Sequence, residues 1–135
     1  MKTKRFSPTK EAEYKHLYNV ARIAGLEAVS TLQVVPMVVN QHAQVLNDNS
    51  PIVERYFVAD GVCGFAMIRI KPANCGFAQW LVAKGLARKS DYYGGVYITV
   101  MEFNQSYQKK DAYGHAFAEV LRSAGLRAYC DSRLD

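Results

Sequence analysis

The sequence predicts an α+β domain: a mixed sheet of about four strands, a hairpin plus two single strands, packed by three helices. Three observations carry this. Asp60-Gly61 separates two apolar runs and is a strong two-residue hairpin signal. Apolar residues recur at intervals of three and four between Ser106 and Gly125, the spacing of a helix buried on one side. That helix lies between two strand-like segments, so a parallel pair joined by a right-handed crossover is expected. At 135 residues one domain suffices over 1–135, with an N-terminal arm and helix in 1–32 and a sheet–helix core in 53–135.

Taken in order, Ser7-Pro8 is a helix start, because serine accepts from an orphan N–H and proline at the first helical position loses nothing. Tyr14, Leu17, Tyr18, Ala21, Ala24 and Ala28 then share one face, and Gly25 ends or weakens this helix. The run from Leu32 to Val39 is broken by Pro36, which has no ladder donor, so it is expected as an extended edge or buried linker. Residues 40–51 read as a polar loop. Val53–Ala59 is a strand that returns through Asp60-Gly61 into Val62–Ile70. That second strand is apolar almost throughout and therefore expected to be central, with both faces covered. Pro72 ends it. Asn74 caps a helix with Phe77, Trp80 and Leu81 on one side and Gly85 at its end. From Val96 to Phe103 the pattern alternates, with Val96, Ile98 and Val100 opposite Tyr97, Thr99 and Met101. Ser106 caps the last helix, whose Tyr113, Ala116, Phe117, Val120, Leu121 and Ala124 form the apolar stripe. Leu126–Cys130 closes as a short strand.

Composition narrows the function classes. Half the residues are apolar and 21% are charged, as in ordinary globular proteins. The apolar runs are too short to cross a bilayer and no apolar segment follows MKTKRF, so a cytoplasmic protein is expected. Cys63, Cys75 and Cys130 have no CxxC pairing and read as free thiols in a reducing compartment. The net charge of +5 gathers at Lys2, Lys4, Arg5 and Lys10 and again at Arg69, Lys71, Lys84, Arg88 and Lys89. A general DNA binder would show a denser stripe, so nucleic acid is not the expected partner.

Catalytic constellations are lacking. His16, His42 and His115 share no metal-ligand spacing, the acids are scattered, and no Walker loop, GxGxxG or GxSxG occurs. Cys63 and Cys130 fall in strands among apolar neighbours, where packing is the plain role. The expectation is a protein that is not an enzyme, with no cofactor and no metal. Anion binding fits better. In Tyr92-Tyr93-Gly94-Gly95 the glycines admit a ligand close to the backbone and the tyrosines offer stacking faces, though a tight turn with aromatic packing explains them too. Arg88 and Lys89 add charge to that loop. Arg122 lies in the last helical turn, where it also complements the helix's negative end, and Arg127 and Arg133 follow on the next strand. The three arginines are expected to converge at one edge.

The run from Gly61 to Asp135 resembles small tailed-phage proteins, in the segments DGVCGFAMIRIKPAN, ARKSDYYGG, NQS with its helix, FAEVLRSAGLRAY and the SRLD ending. It is similar to the Thoeris anti-defence sponge family, whose members sequester a cyclic ADP-ribose-type signal. The resemblance implies a non-enzymatic homo-oligomer that holds its ligand between subunits through arginines, an asparagine and an aromatic side chain. Arg122, Arg127, Asn104 and Phe103 are the positions here that would play those parts. Residues and resemblance together give capture of a small phosphate-bearing nucleotide, with phosphates on Arg122 and Arg127 and a base on Tyr92, Tyr93 or Phe103. The alternative is a basic inhibitor module that binds nucleic acid or protein through Lys2 to Lys10 and Arg88-Lys89. Nine tyrosines and six phenylalanines exceed what one core of this size hides, which also points to a homo-oligomer.

Overall fold

A computed structural model describes residues 6–32, 63–103 and 106–134 in full, and 37–42 and 52–58 by their backbone. Helix α1 (Pro8–Ser30) begins as its sequence requires: the Ser7 hydroxyl accepts from the Lys10 N–H at 3.2 Å, with proline at the first position. Gly25 does not end it. The glycine is buried, and a Cβ there would lie 2.6 Å from the Tyr113 ring, so its missing side chain is what lets α1 cross a later helix closely.

Strand pairing departs from the expected hairpin. Strand β1 (Met37–His42) pairs antiparallel with β2 (Ile52–Val58), from Met37 opposite Val58 to His42 opposite Ile52. The first three residues of the expected 40–51 loop thus belong to a strand, and β2 does not pair with β3 (Gly64–Lys71), which belongs to a second sheet. Asp60 and Gly61 lie outside the described residues. The physical reason is competition. A turn dipeptide is a local preference, whereas β3 buries Ala66, Ile68 and Ile70 only between partners that carry matching apolar residues.

Those partners come from the second half of the chain: α2 (Gly76–Ala83), β4 (Arg88–Lys89), β5 (Val96–Thr99), α3 (Tyr107–Ser123) and β6 (Arg127–Leu134). The sheet order is β4-β5-β3-β6, and every neighbouring pair is antiparallel. The sheet is therefore antiparallel and not mixed. β5 and β6 do run the same way, but β3 lies between them, so the α3 connection steps over a strand. The α2 connection likewise carries β3 past β5 to β4. Two split β-α-β units interleave in a β-α-β-β-α-β arrangement. Smaller boundaries move as well. β5 stops at Thr99, β6 runs on to Leu134, and the α2 cap position falls on Cys75 rather than Asn74.

β3 is central, as its apolar run demands, yet helices cover only one of its faces. Ala66, Ile68 and Ile70, with Val96, Ile98 and Ala128 of the flanking strands, pack in one core with Phe77, Trp80, Leu81, Tyr113, Phe117 and Leu121 of the helices. The alternate residues of the same strands make a face with no helix over it among the described residues. The fold is thus α+β, three helices and a four-stranded antiparallel sheet packed together. Among the described residues, no helix is long and apolar enough to cross a membrane.

Candidate functional site

Register decides what the uncovered face carries. Arg88 of β4 lies opposite Tyr97 of β5, Tyr97 opposite Arg69 of β3, and Arg69 opposite Tyr129 of β6. Residues in register share a face, so one row across the sheet reads cation, aromatic, cation, aromatic. The next row holds Thr99, Met67 and Asp131. Beyond it Phe65 faces Arg133, and at the other end Lys71 faces Arg127.

At the centre, Arg69 is almost fully buried although its side chain is charged. Its Nε donates to Asp131 Oδ2 at 2.9 Å, and its guanidinium lies 4.3 Å from the centre of the Tyr93 ring and 5.7 Å from that of Tyr97. A charge so deep needs a counter-charge and stacking partners, and it has both. The β4–β5 loop places Tyr93 there: Ser90 N–H donates to Gly95 O, Ser90 Oγ accepts from Tyr93 N–H, and Gly94 and Gly95 take positive φ. A Cβ on Gly95 would fall 2.3 Å from Ile70 O, so only glycine lets the loop close on β3. Arg133 Nη2 donates to the Tyr93 hydroxyl at 3.2 Å and lies 3.7 Å from Asp131. The hydrogen bond to Tyr93, with Asp131 behind it, pushes the Arg133 pKa above its ordinary value, so this guanidinium stays charged. Tyr93 is thus committed to the protein, whereas Tyr92 projects into solvent at 88% exposure.

A hollow of about 510 Å³ opens where the end of α3 meets the ends of β3 and β6. Lys71, Arg122, Arg127 and Tyr129 line it, with Gly125, Leu126 and Ala128. The sequence placed Arg122 and Arg127 together, and they do share this wall. Their states differ. Arg122 Nη1 donates to Ala128 O at 2.9 Å and Nη2 to Glu119 Oε2 at 2.7 Å, so it ties the helix end to β6. Among the described residues neither Lys71 nor Arg127 has an acidic partner, and Lys71 Nζ lies 5.8 Å from the centre of the Tyr129 ring. Two available cations and a half-exposed aromatic ring on one hollow can receive an anion attached to a flat apolar group.

Other expected members lie elsewhere. Phe103, with φ of 70°, packs against the core with its ring 5.6 Å from Tyr113, away from the hollow. Asn104 lies outside the described residues. Arg88 lines a different depression with Tyr97, Thr99 and Met101. Arg133 does not converge with Arg122 and Arg127: it lies six positions along β6 from Arg127, roughly 20 Å. Arg69, Lys71, Tyr97, Tyr129 and Asp131 were not singled out by sequence as site residues. The signal was present in MIRIK, where Arg69 and Lys71 alternate with isoleucines, and in RAYCDSR, where every second residue is charged or aromatic. It is legible only once β6 is known to be a strand that runs past Cys130.

The histidines also sort themselves. Although no spacing along the chain joins two of them, His115 meets Asp111 one turn earlier on α3, Nε2 to Oδ1 at 3.2 Å, and Cys130 of β6 lies beside both. Burial, with Asp111 and Asp131 adding, pushes the Cys130 thiol up to about 12. No protein-family model, curated protein or solved structure matches this chain, so its site is read from its own geometry.

Proposed function

We propose that this protein captures a small phosphate-bearing nucleotide, of the cyclic nucleotide or cyclic ADP-ribose type, without turning it over. The phosphate would meet Lys71 and Arg127 in the hollow at the end of α3, and the base or ribose would lie on Tyr129. The observation that carries the proposal is the pairing of Lys71 and Arg127, which have no acidic partner among the described residues, with Tyr129 on one hollow. Arg122 borders the same hollow but already serves Ala128 O and Glu119, so its part is to shape the wall and offset the negative end of α3. Capture needs burial and pre-organised donors and no acid–base pair. We also take the protein to act as a homo-oligomer. The exposed Val20, Ile23 and Leu26 of α1 support that reading, as does an open sheet face that a second subunit would cover.

Calorimetry of the full chain against cyclic nucleotides and cyclic ADP-ribose isomers tests the proposal. A charge-assisted hydrogen bond is worth about 1.5–3 kcal/mol, so Lys71→Ala with Arg127→Ala should weaken binding by about two to four decades at ~1.4 kcal/mol per tenfold. A ligand held equally by wild type and double variant would move the site away from this hollow.

A second reading has its own observation. Aromatic and cationic residues continue along β6 from Arg127 through Tyr129 to Arg133, with Phe65 beside them, a length that suits several nucleotides of a single strand. Salt separates the two: a steep loss of affinity with ionic strength marks the strand, a shallow one the hollow.

A further inference from the structure

We propose that Asp111, His115 and Cys130 form a binding site for a borderline-soft divalent cation, Zn²⁺ foremost, where α3 lies over β6. One donor atom from each of the three lies within 4.8 Å of the others. Asp111 and His115 are four residues apart on α3 and therefore side by side, at 3.2 Å between Oδ1 and Nε2. Cys130 arrives from the other element. Alternation along β6 turns it towards the helices together with Ala128 and Ser132, opposite Ile68.

Two further features hold the three together. Gly114 sits in the middle of α3, where glycine costs roughly 0.5–1 kcal/mol against alanine. A Cβ there would fall 2.5 Å from Cys130 Sγ, so the glycine is what admits the thiol to the helix surface between Asp111 and His115. Ser132 Oγ donates to Asp111 Oδ1 at 2.5 Å, and the Tyr107 hydroxyl lies 3.3 Å from Ser132 Oγ. A carboxylate steered by a hydroxyl pair is the support that metal-binding carboxylates have in general.

Thiolate, imidazole and carboxylate make a donor set suited to zinc. Tetrahedral coordination with ordinary bond lengths sets donors about 3.3–3.6 Å apart. The Asp111–His115 pair, at 3.2 Å, is already close to this, and the cysteine side has to close by roughly 1 Å at most. Three protein ligands leave the fourth position to water or an outside donor. The site lies on the helix side of the sheet, away from the hollow at Lys71 and Arg127, so it stands independently of nucleotide capture.

The test uses the full chain, reduced and stripped with a chelator, then titrated with Co²⁺. The expected result is one equivalent per chain, with a sulfur-to-cobalt charge-transfer band and the intense visible bands of tetrahedral cobalt, both removed by Zn²⁺. Cys130→Ser abolishes the charge-transfer band, and the Cys63→Ser/Cys75→Ser double variant keeps it. His115→Ala, at a solvent-exposed position that leaves folding untouched, lowers affinity by at least about tenfold. The proposal is overturned by no charge-transfer band at one equivalent of Co²⁺, by a band that survives Cys130→Ser, or by unchanged affinity in His115→Ala.

Discussion

At the scale of single residues, the sheet's open face depends on a buried cation. Asp131 binds the Arg69 guanidinium and the Tyr93 ring covers it. Removing one partner of such a pair costs more than the pair contributes, since a charge is left behind without water. Asp131→Ala should therefore destabilise by about 2–3 kcal/mol, below the fully buried range because Asp131 is partly exposed. Adding Arg69→Met should restore most of that loss in urea unfolding. If the single variant is as stable as wild type, Arg69 is hydrated and not buried as a pair.

Tyr113 gives a prediction with a pH signature. Burial first, and Glu102 next, push its phenol up from 10.0 to about 12. Above pH 10 the unfolded chain gives up this proton while the folded one still holds it, so the unfolded state binds fewer protons. Stability then falls as pH rises from 10 towards 12, by up to about 1.4 kcal/mol per pH unit for this group. Below pH 10 it contributes no slope. Tyr113→Phe should flatten this part of the curve, read as Tm against pH, and a slope that persists in the variant would assign it to other groups.

Among the elements, the α1–α3 crossing is set by a missing side chain. Gly25 faces the Tyr113 ring at distances no Cβ tolerates, and the ring cannot swing aside because Phe103 and Phe117 flank it. Gly25→Ala should cost about 1–3 kcal/mol by overpacking, despite the better helix propensity of alanine. The same substitution at Gly85, where positive φ meets open space, strains the backbone and not the packing. Comparing the two by thermal unfolding separates the causes: Tyr113→Leu should rescue Gly25→Ala and leave Gly85→Ala unchanged.

For the whole molecule, helices and core residues were legible because burial imposes periodicity on each segment separately. Ser7 and Ser106 cap where they were expected to, and the apolar stripes of α1 and α3 form the core. Pairing was less legible, because it is decided between segments. Asp60-Gly61 spoke for a β2–β3 hairpin, but β3 takes its partners from 96–99 and 127–134. The candidate site divides along the same line. Arg122 and Arg127 are near in sequence and share a wall, while Lys71 and Tyr129 reach it through the register of β3 with β6. Assembly adds a prediction at this scale: light scattering at micromolar concentration should give more than one chain per particle, and Ile23→Glu on the exposed side of α1 should lower that number if α1 is the interface. A monomeric wild type removes the oligomer from the proposed function.

The position of β3 at the centre of the sheet also fixes an order of events during synthesis. Its eight residues emerge before either partner, β5 follows about thirty residues later, and β6 follows only after all of α3. Until Arg127–Leu134 leave the ribosome, one edge of β3 has no partner and Arg69 has no Asp131. The nascent chain thus carries an apolar strand with an open edge, a hazard for mispairing that lasts as long as translation of the last helix and strand. Contacts this far apart in sequence also slow closure of the sheet, since the loop must be ordered before the pairing compensates it.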